Sequence, residues 1–187
     1  MFYFHQKLST RSTVLILAGL IMGSPITGAI AAPSDTSSKA GQCNALLDAN
    51  RQGEAFSQQF EAQSTAIGER IEQAKTLDEF QVVAQAAAEQ FTTATEELEK
   101  YTQVIETVNL QDGKLITIRD RMVTHHRALG TELQKMAQTF QKLGSPATPP
   151  ESIGTLAKEL ETDSKNMDVI EQKDKQLIQE FQAYCGF

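Results

Sequence analysis

Proline is nearly missing from the interior of this chain. Five prolines occur in 187 residues, and from Pro33 to Pro146 none intervenes, so nothing of that kind stops a helix over most of the length. Strict apolar/polar alternation is missing too, which argues against half-buried strands. Cysteine is limited to Cys43 and Cys185, which allow a single intramolecular connectivity, and no C-x-x-C-H is present for covalent haem. No G-x-S-x-G, P-loop or dinucleotide fingerprint occurs, and no constellation of residues points to catalysis. Positive charge is in deficit, with a formal net charge of −7; an acidic chain has no electrostatic case for nucleic acid or an anionic membrane surface.

What is there begins with a leader. MFYFHQKLSTRS carries Lys7 and Arg11 and no acid, and runs into the apolar TVLILAGLIMG. Gly23, Pro25 and Gly28 break that run before Ala29-Ile30-Ala31, whose small residues at −3 and −1 fit a signal peptidase acting after Ala31. Residues 1–31 therefore read as a signal peptide and 32–37 as a linker, with the mature chain periplasmic or secreted. The rival reading is a retained anchor, the one route by which the chain would meet a membrane, since Val14 to Ala32 is close to the roughly 20 residues that span a bilayer. Loss of Lys7 and Arg11 takes the formal −7 to −9, on a length that suits one domain with a core.

Four helices are expected, over about 38–75, 76–110, 114–143 and 149–185. The clearest start is Thr76-Leu77-Asp78-Glu79, a capping box. From it Phe80, Ala84, Ala87, Phe91, Ala94, Leu98, Tyr101, Ile105 and Val108 recur at alternating spacings of four and three, the coiled-coil seam of an antiparallel bundle. Asp112-Gly113 breaks this helix. The next stripe holds Leu115, Ile118, Met122, His125, Leu129, Leu133, Met136, Phe140 and Leu143. GSPATPP follows, with Gly144 placed as a C-cap, and the last stripe runs from Ile153 to Tyr184, interrupted by Asp163 and Asp174. The first helix is the least regular, weakened at Gly53 and Gly68. The predicted fold is an all-α, up-down-up-down four-helix bundle about 50 Å long. That topology brings Cys43 and Cys185 to one end, where in an oxidising compartment they would form a disulfide.

His125 and His126 stand side by side in the third helix. His125 lies in the stripe; His126, about 100° round, should face the flank or solvent. Neighbours three and four residues away offer no Cys, His or carboxylate, so a metal site would need ligands from other helices, and none is expected. Folding the helices back about Asp112 and Ala147 puts His125 level with Tyr101 and Met167. A His facing a Met resembles the axial pair of periplasmic cytochrome b-type bundles, and that resemblance implies haem or soft-metal binding through His125 and Met167 as an alternative role. The plainer reading is a packing histidine bonded to Tyr101 or a backbone carbonyl. Asp163 and Asp174 are expected either to pair across helices with Arg119, Arg121 or Lys135 or to form a polar layer that fixes register.

The segments C-N-A-L-L-D-A-N-R-Q-G at Cys43 to Gly53 and Q-A-Y-C-G-F at Gln182 to Phe187 resemble uncharacterised exported helical proteins of cyanobacteria, which implies an extracytoplasmic location and no activity. The sequence thus leads to an exported, non-enzymatic bundle, without a cofactor, that serves a structural role or presents an acidic face to a protein partner.

Overall fold

The computed structural model describes residues 38–187; the expected signal peptide, its cleavage after Ala31 and the linker at 32–37 lie outside them. Four helices run antiparallel: α1 (Lys39–Gln73), α2 (Leu77–Glu106), α3 (Gly113–Leu143) and α4 (Ile153–Cys185), with a 3-10 turn at Pro150–Ser152 before α4. This is the expected all-α four-helix bundle. Among the described residues no helix is long and apolar enough to cross a membrane.

Local chemistry starts the first three helices. The Ser38 hydroxyl accepts from Gly41 N–H at 3.0 Å, and Asp112 accepts from Lys114 and Leu115 N–H at 2.9 and 3.0 Å, satisfying amides that have no partner within a helix. The Thr76 box closes both ways: Glu79 N–H donates to the Thr76 hydroxyl, and Glu79 carboxylate accepts from Thr76 N–H. The backbone N–H groups of Lys75 and Thr76, both donating to this carboxylate, hold it below its ordinary value. α1 is continuous through Gly53 and Gly68.

Two boundaries differ from expectation. α2 ends at Glu106 rather than near 110: Val108 N–H turns back to Ile105 C=O, and Gln42 of α1, itself buried, holds the turn beyond by taking both Gln111 and Asp112 N–H on its side-chain oxygen at 2.6 and 2.8 Å. α4 begins at Ile153 rather than 149, since Pro150 to Ser152 wind as a 3-10 turn. Gly144 does cap α3, but at φ −76°, an ordinary right-handed value. Its lack of a side chain serves closeness instead, as a Cβ there would lie 2.6 Å from Gln85 Cγ and 2.9 Å from Gln85 N on α2.

The expected stripes are the core, in two apolar clusters. One, towards the α1–α2 and α3–α4 turns, includes Phe60, Phe91, Leu133, Phe140, Leu160 and Met167; its rings Phe56, Phe60, Phe91 and Phe140 follow one another at centroid spacings of 5.4 to 5.9 Å. The other, towards the chain ends, includes Leu46, Ile105, Leu115, Ile118, Met122, Leu177 and Phe181. There the Cys43–Cys185 disulfide forms, with Cα atoms 5.9 Å apart, beside Tyr184, whose hydroxyl donates to Asp112 at 2.9 Å. α1 packs chiefly on α2, α2 on α3 and α3 on α4, while direct contact between α1 and α4 is sparse.

Candidate functional site

Between the two clusters the bundle has a polar waist. Tyr101 of α2 packs against both clusters. Its hydroxyl donates to the Asn50 side-chain oxygen of α1 at 2.7 Å. The ring sits over Gly53, where any Cβ would come within 2.5 Å of Cζ, so the glycine in α1 is a socket for the tyrosine. Burial drives the Tyr101 phenol far above its ordinary value, reinforced by the charges of Asp174 and Glu54.

The two histidines reach this layer from α3, each towards a different helix. His126 is the buried one, 8% exposed, with its ring against Tyr101 at 5.0 Å between centroids. His125 is half-buried and turns to α4, its Nδ1 standing 3.7 Å from Asp174 Oδ1. This reverses the expected assignment of His126 to solvent. The reason is that α3 packs on both α2 and α4, so its buried stripe widens to include Val123, His126 and Ala137, and side chains 100° apart each meet a neighbour. Burial lowers the His126 imidazole below its ordinary value; Asp174 opposes the shift and His125 adds to it. Neither His125 Nδ1, His126 Nδ1 nor Asp174 Oδ1 makes a hydrogen bond among the described residues, though all three atoms are buried.

Register decides the fate of the His125–Met167 pair. The cross-helix contacts His125–Asp174 and Glu132–Asn166 both centre near Pro149, because the α3–α4 connection extends through the 3-10 turn. His125 is therefore level with Asp174, and Met167 lies seven residues earlier on α4, about 10 Å away along the helix. Met167 is buried in the apolar cluster of the other half. Among the described residues no three His, Cys, Asp or Glu side chains gather as a group able to hold a metal ion.

Of the two acids of the fourth stripe, Asp174 finds a partner other than the cations expected. Asp174 meets His125, whereas Arg119 donates to Val108 C=O and pairs with Asp120, and Arg121 pairs with Glu180. Glu180 also binds Lys114, and these two cations hold its carboxyl below its ordinary value. Asp163 is near Lys135 as expected, but Lys135 bonds Glu132 at 2.7 Å. Partial burial, with the Glu132 charge adding, raises the Asp163 carboxyl.

On the outer side of α2 and α3 lies a groove of about 770 Å³ with Ala88 and Ala137 among its lining residues. Small residues there leave the space between the helices unfilled. Gln85, Gln134, Gln138 and Gln141 line it with amides, and Glu89 and Glu96 with carboxylates. Thr92, Thr93 and Thr95 also line it, each donating its hydroxyl proton to a carbonyl of its own helix at 2.8 to 3.1 Å, so their oxygens remain as acceptors.

Sequence reasoning passed over Asn50 and Gln42, and read Gly53 only as a weak point of its helix; their partners are 51, 69 and 48 residues away. The groove left no signal beyond Gln, Thr and Ala on the polar faces of two helices. No family model, curated protein or solved structure matches this chain.

Proposed function

We propose that the protein is an exported, non-enzymatic helical bundle with a structural or protein-interaction role, and that it receives a basic helical segment of its partner in the α2–α3 groove. One observation carries this reading: the groove is rich in acceptors and negative. Glu89 and Glu96 line it, the threonine oxygens there keep their acceptor capacity, and α2 as a whole carries Asp78, Glu79, Glu89, Glu96, Glu97, Glu99 and Glu106 against Lys100 alone. A helix bearing Lys or Arg complements that charge, and Ala88 and Ala137 permit close approach. Export rests on the leader in residues 1–31 and draws support from the Cys43–Cys185 bond, of a kind that persists in oxidising compartments.

The test uses a synthetic helical peptide with lysines along one face and alanines along the other, added to isotope-labelled protein. Amide shifts should cluster at Glu89–Glu96 and Gln134–Gln141. Affinity should fall by roughly tenfold from 50 to 500 mM salt, and the double variant Glu89→Lys, Glu96→Lys should abolish binding. Shifts scattered over the surface, or binding that survives the charge reversal, would remove the groove as the contact surface.

A further inference from the structure

We infer that the waist is an acid-operated joint: a proton taken up by His126 breaks the Tyr101–His126 contact between α2 and α3 and loosens the bundle at mid-length while both apolar clusters remain packed. This goes beyond the groove reading and does not depend on it.

The geometry makes the neutral imidazole the one that fits. His126 is 8% exposed and lies flat enough on Tyr101 for ring contact, 5.0 Å and 41° apart. An imidazolium needs an acceptor at each nitrogen, yet Nδ1 is buried without one among the described residues. The Tyr101 hydroxyl donates its proton to Asn50, and Gly53 closes behind the ring, so Tyr101 is held and cannot swing aside without breaking its own contacts.

Each packed element brings a titratable or charged group towards this layer. α1 supplies Glu54 near Tyr101, α2 supplies Tyr101 itself, α3 supplies His125, and α4 supplies Asp174. Asp174 would favour a cation, but it stands against His125 Nδ1 at 3.7 Å. A charged His125 would repel one on His126. Burial thus outweighs attraction, in keeping with the lowered imidazole.

The sign follows from linkage. A histidine whose folded value lies below its unfolded one stabilises the fold fully above about pH 6.5, and that contribution is lost as pH falls below it, until the folded value is reached. The carboxylates held low, Glu79, Asp112 and Glu180, respond in a more acid range than His126, and the raised carboxyl of Asp163 stands on α4 beside Glu132 and Lys135, away from the waist.

The experiment follows the His126 ring by NMR in the full chain from pH 7.5 to 5.0, with amide hydrogen exchange at both ends of that range. His126 should titrate below the ordinary histidine value. On acidification exchange should quicken first at Met122–Gly130 and Glu99–Thr102, ahead of the amides flanking Phe91 and Ile118. The unfolding constant should rise by at most about tenfold per pH unit, and His126→Phe, which keeps a ring on Tyr101, should flatten that slope. A His126 that titrates at or above about 6.5, a slope retained in His126→Phe, or exchange that quickens equally along the helices would overturn the joint; the wild-type titration decides even if the variant does not fold.

Discussion

Gly53 and Tyr101 form one unit, although neither residue alone looks unusual. Glycine inside an exposed helix costs about 1 kcal/mol relative to alanine, so Gly53→Ala would ordinarily stabilise α1. Here the added methyl would stand 2.5 Å from the Tyr101 ring. The ring would have to move, straining its contact with His126 and its bond to Asn50. Gly53→Ala should therefore destabilise the protein by about 2 kcal/mol in urea unfolding, in the range of overpacked cores. Combining it with Tyr101→Leu should cost less than the two single changes added together, because the clash is gone. The histidines show the limit of reading at this scale. Periodicity put His125 in the stripe and His126 outside, and a rotation of 100° decides between them. Only the placement of α3 between α2 and α4 fixes which side chain meets which helix, and that placement is a property of the assembled bundle.

The starts of the first three helices were readable because their chemistry is local, whereas α4, which has no side-chain cap, begins four residues later than expected. Thr76 and Glu79 are three residues apart, and Asp112 caps amides two and three residues on. The end of α2 was not readable, because Gln42, the acceptor for the turn, belongs to another helix. Gln42→Ala should leave the Gln111 and Asp112 amides without that partner, at about 1 to 3 kcal/mol. Their hydrogen exchange should accelerate while the Thr76 end of α2 is unchanged. Gln42→Glu keeps an acceptor in place and should restore slow exchange at both amides; fast exchange in that variant would mean that the turn is held by something else. The stripes themselves were legible almost throughout, since an alternating four-three spacing over thirty residues leaves one face to bury. Register was less legible, because a fold-back point displaced from Ala147 to near Pro149 shifts every partner on α4 by more than a helical turn. That displacement is what separates His125 from Met167.

At the scale of the molecule, the seam between α1 and α4 is thinly packed, and the Cys43–Cys185 bond crosses it. The bond closes a loop with a sequence separation of 142, for which unfolded-chain entropy corresponds to about 5 kcal/mol. Reduction, or Cys43→Ala with Cys185→Ala, should lower the urea midpoint accordingly. Exchange should quicken first in the Gln42–Asn50 and Leu177–Tyr184 segments. Unchanged protection there would show that the seam holds without the bond. The placement of the bond also sets the path that an external tension would take through the molecule. Cys43 and Cys185 stand near the two ends of the described chain, so tension applied between those ends passes through a few residues and one sulfur–sulfur link. The helices between them are bypassed. With the bond closed, the bundle can be pulled from both ends as a short strap while its core, its waist and its groove feel none of the force.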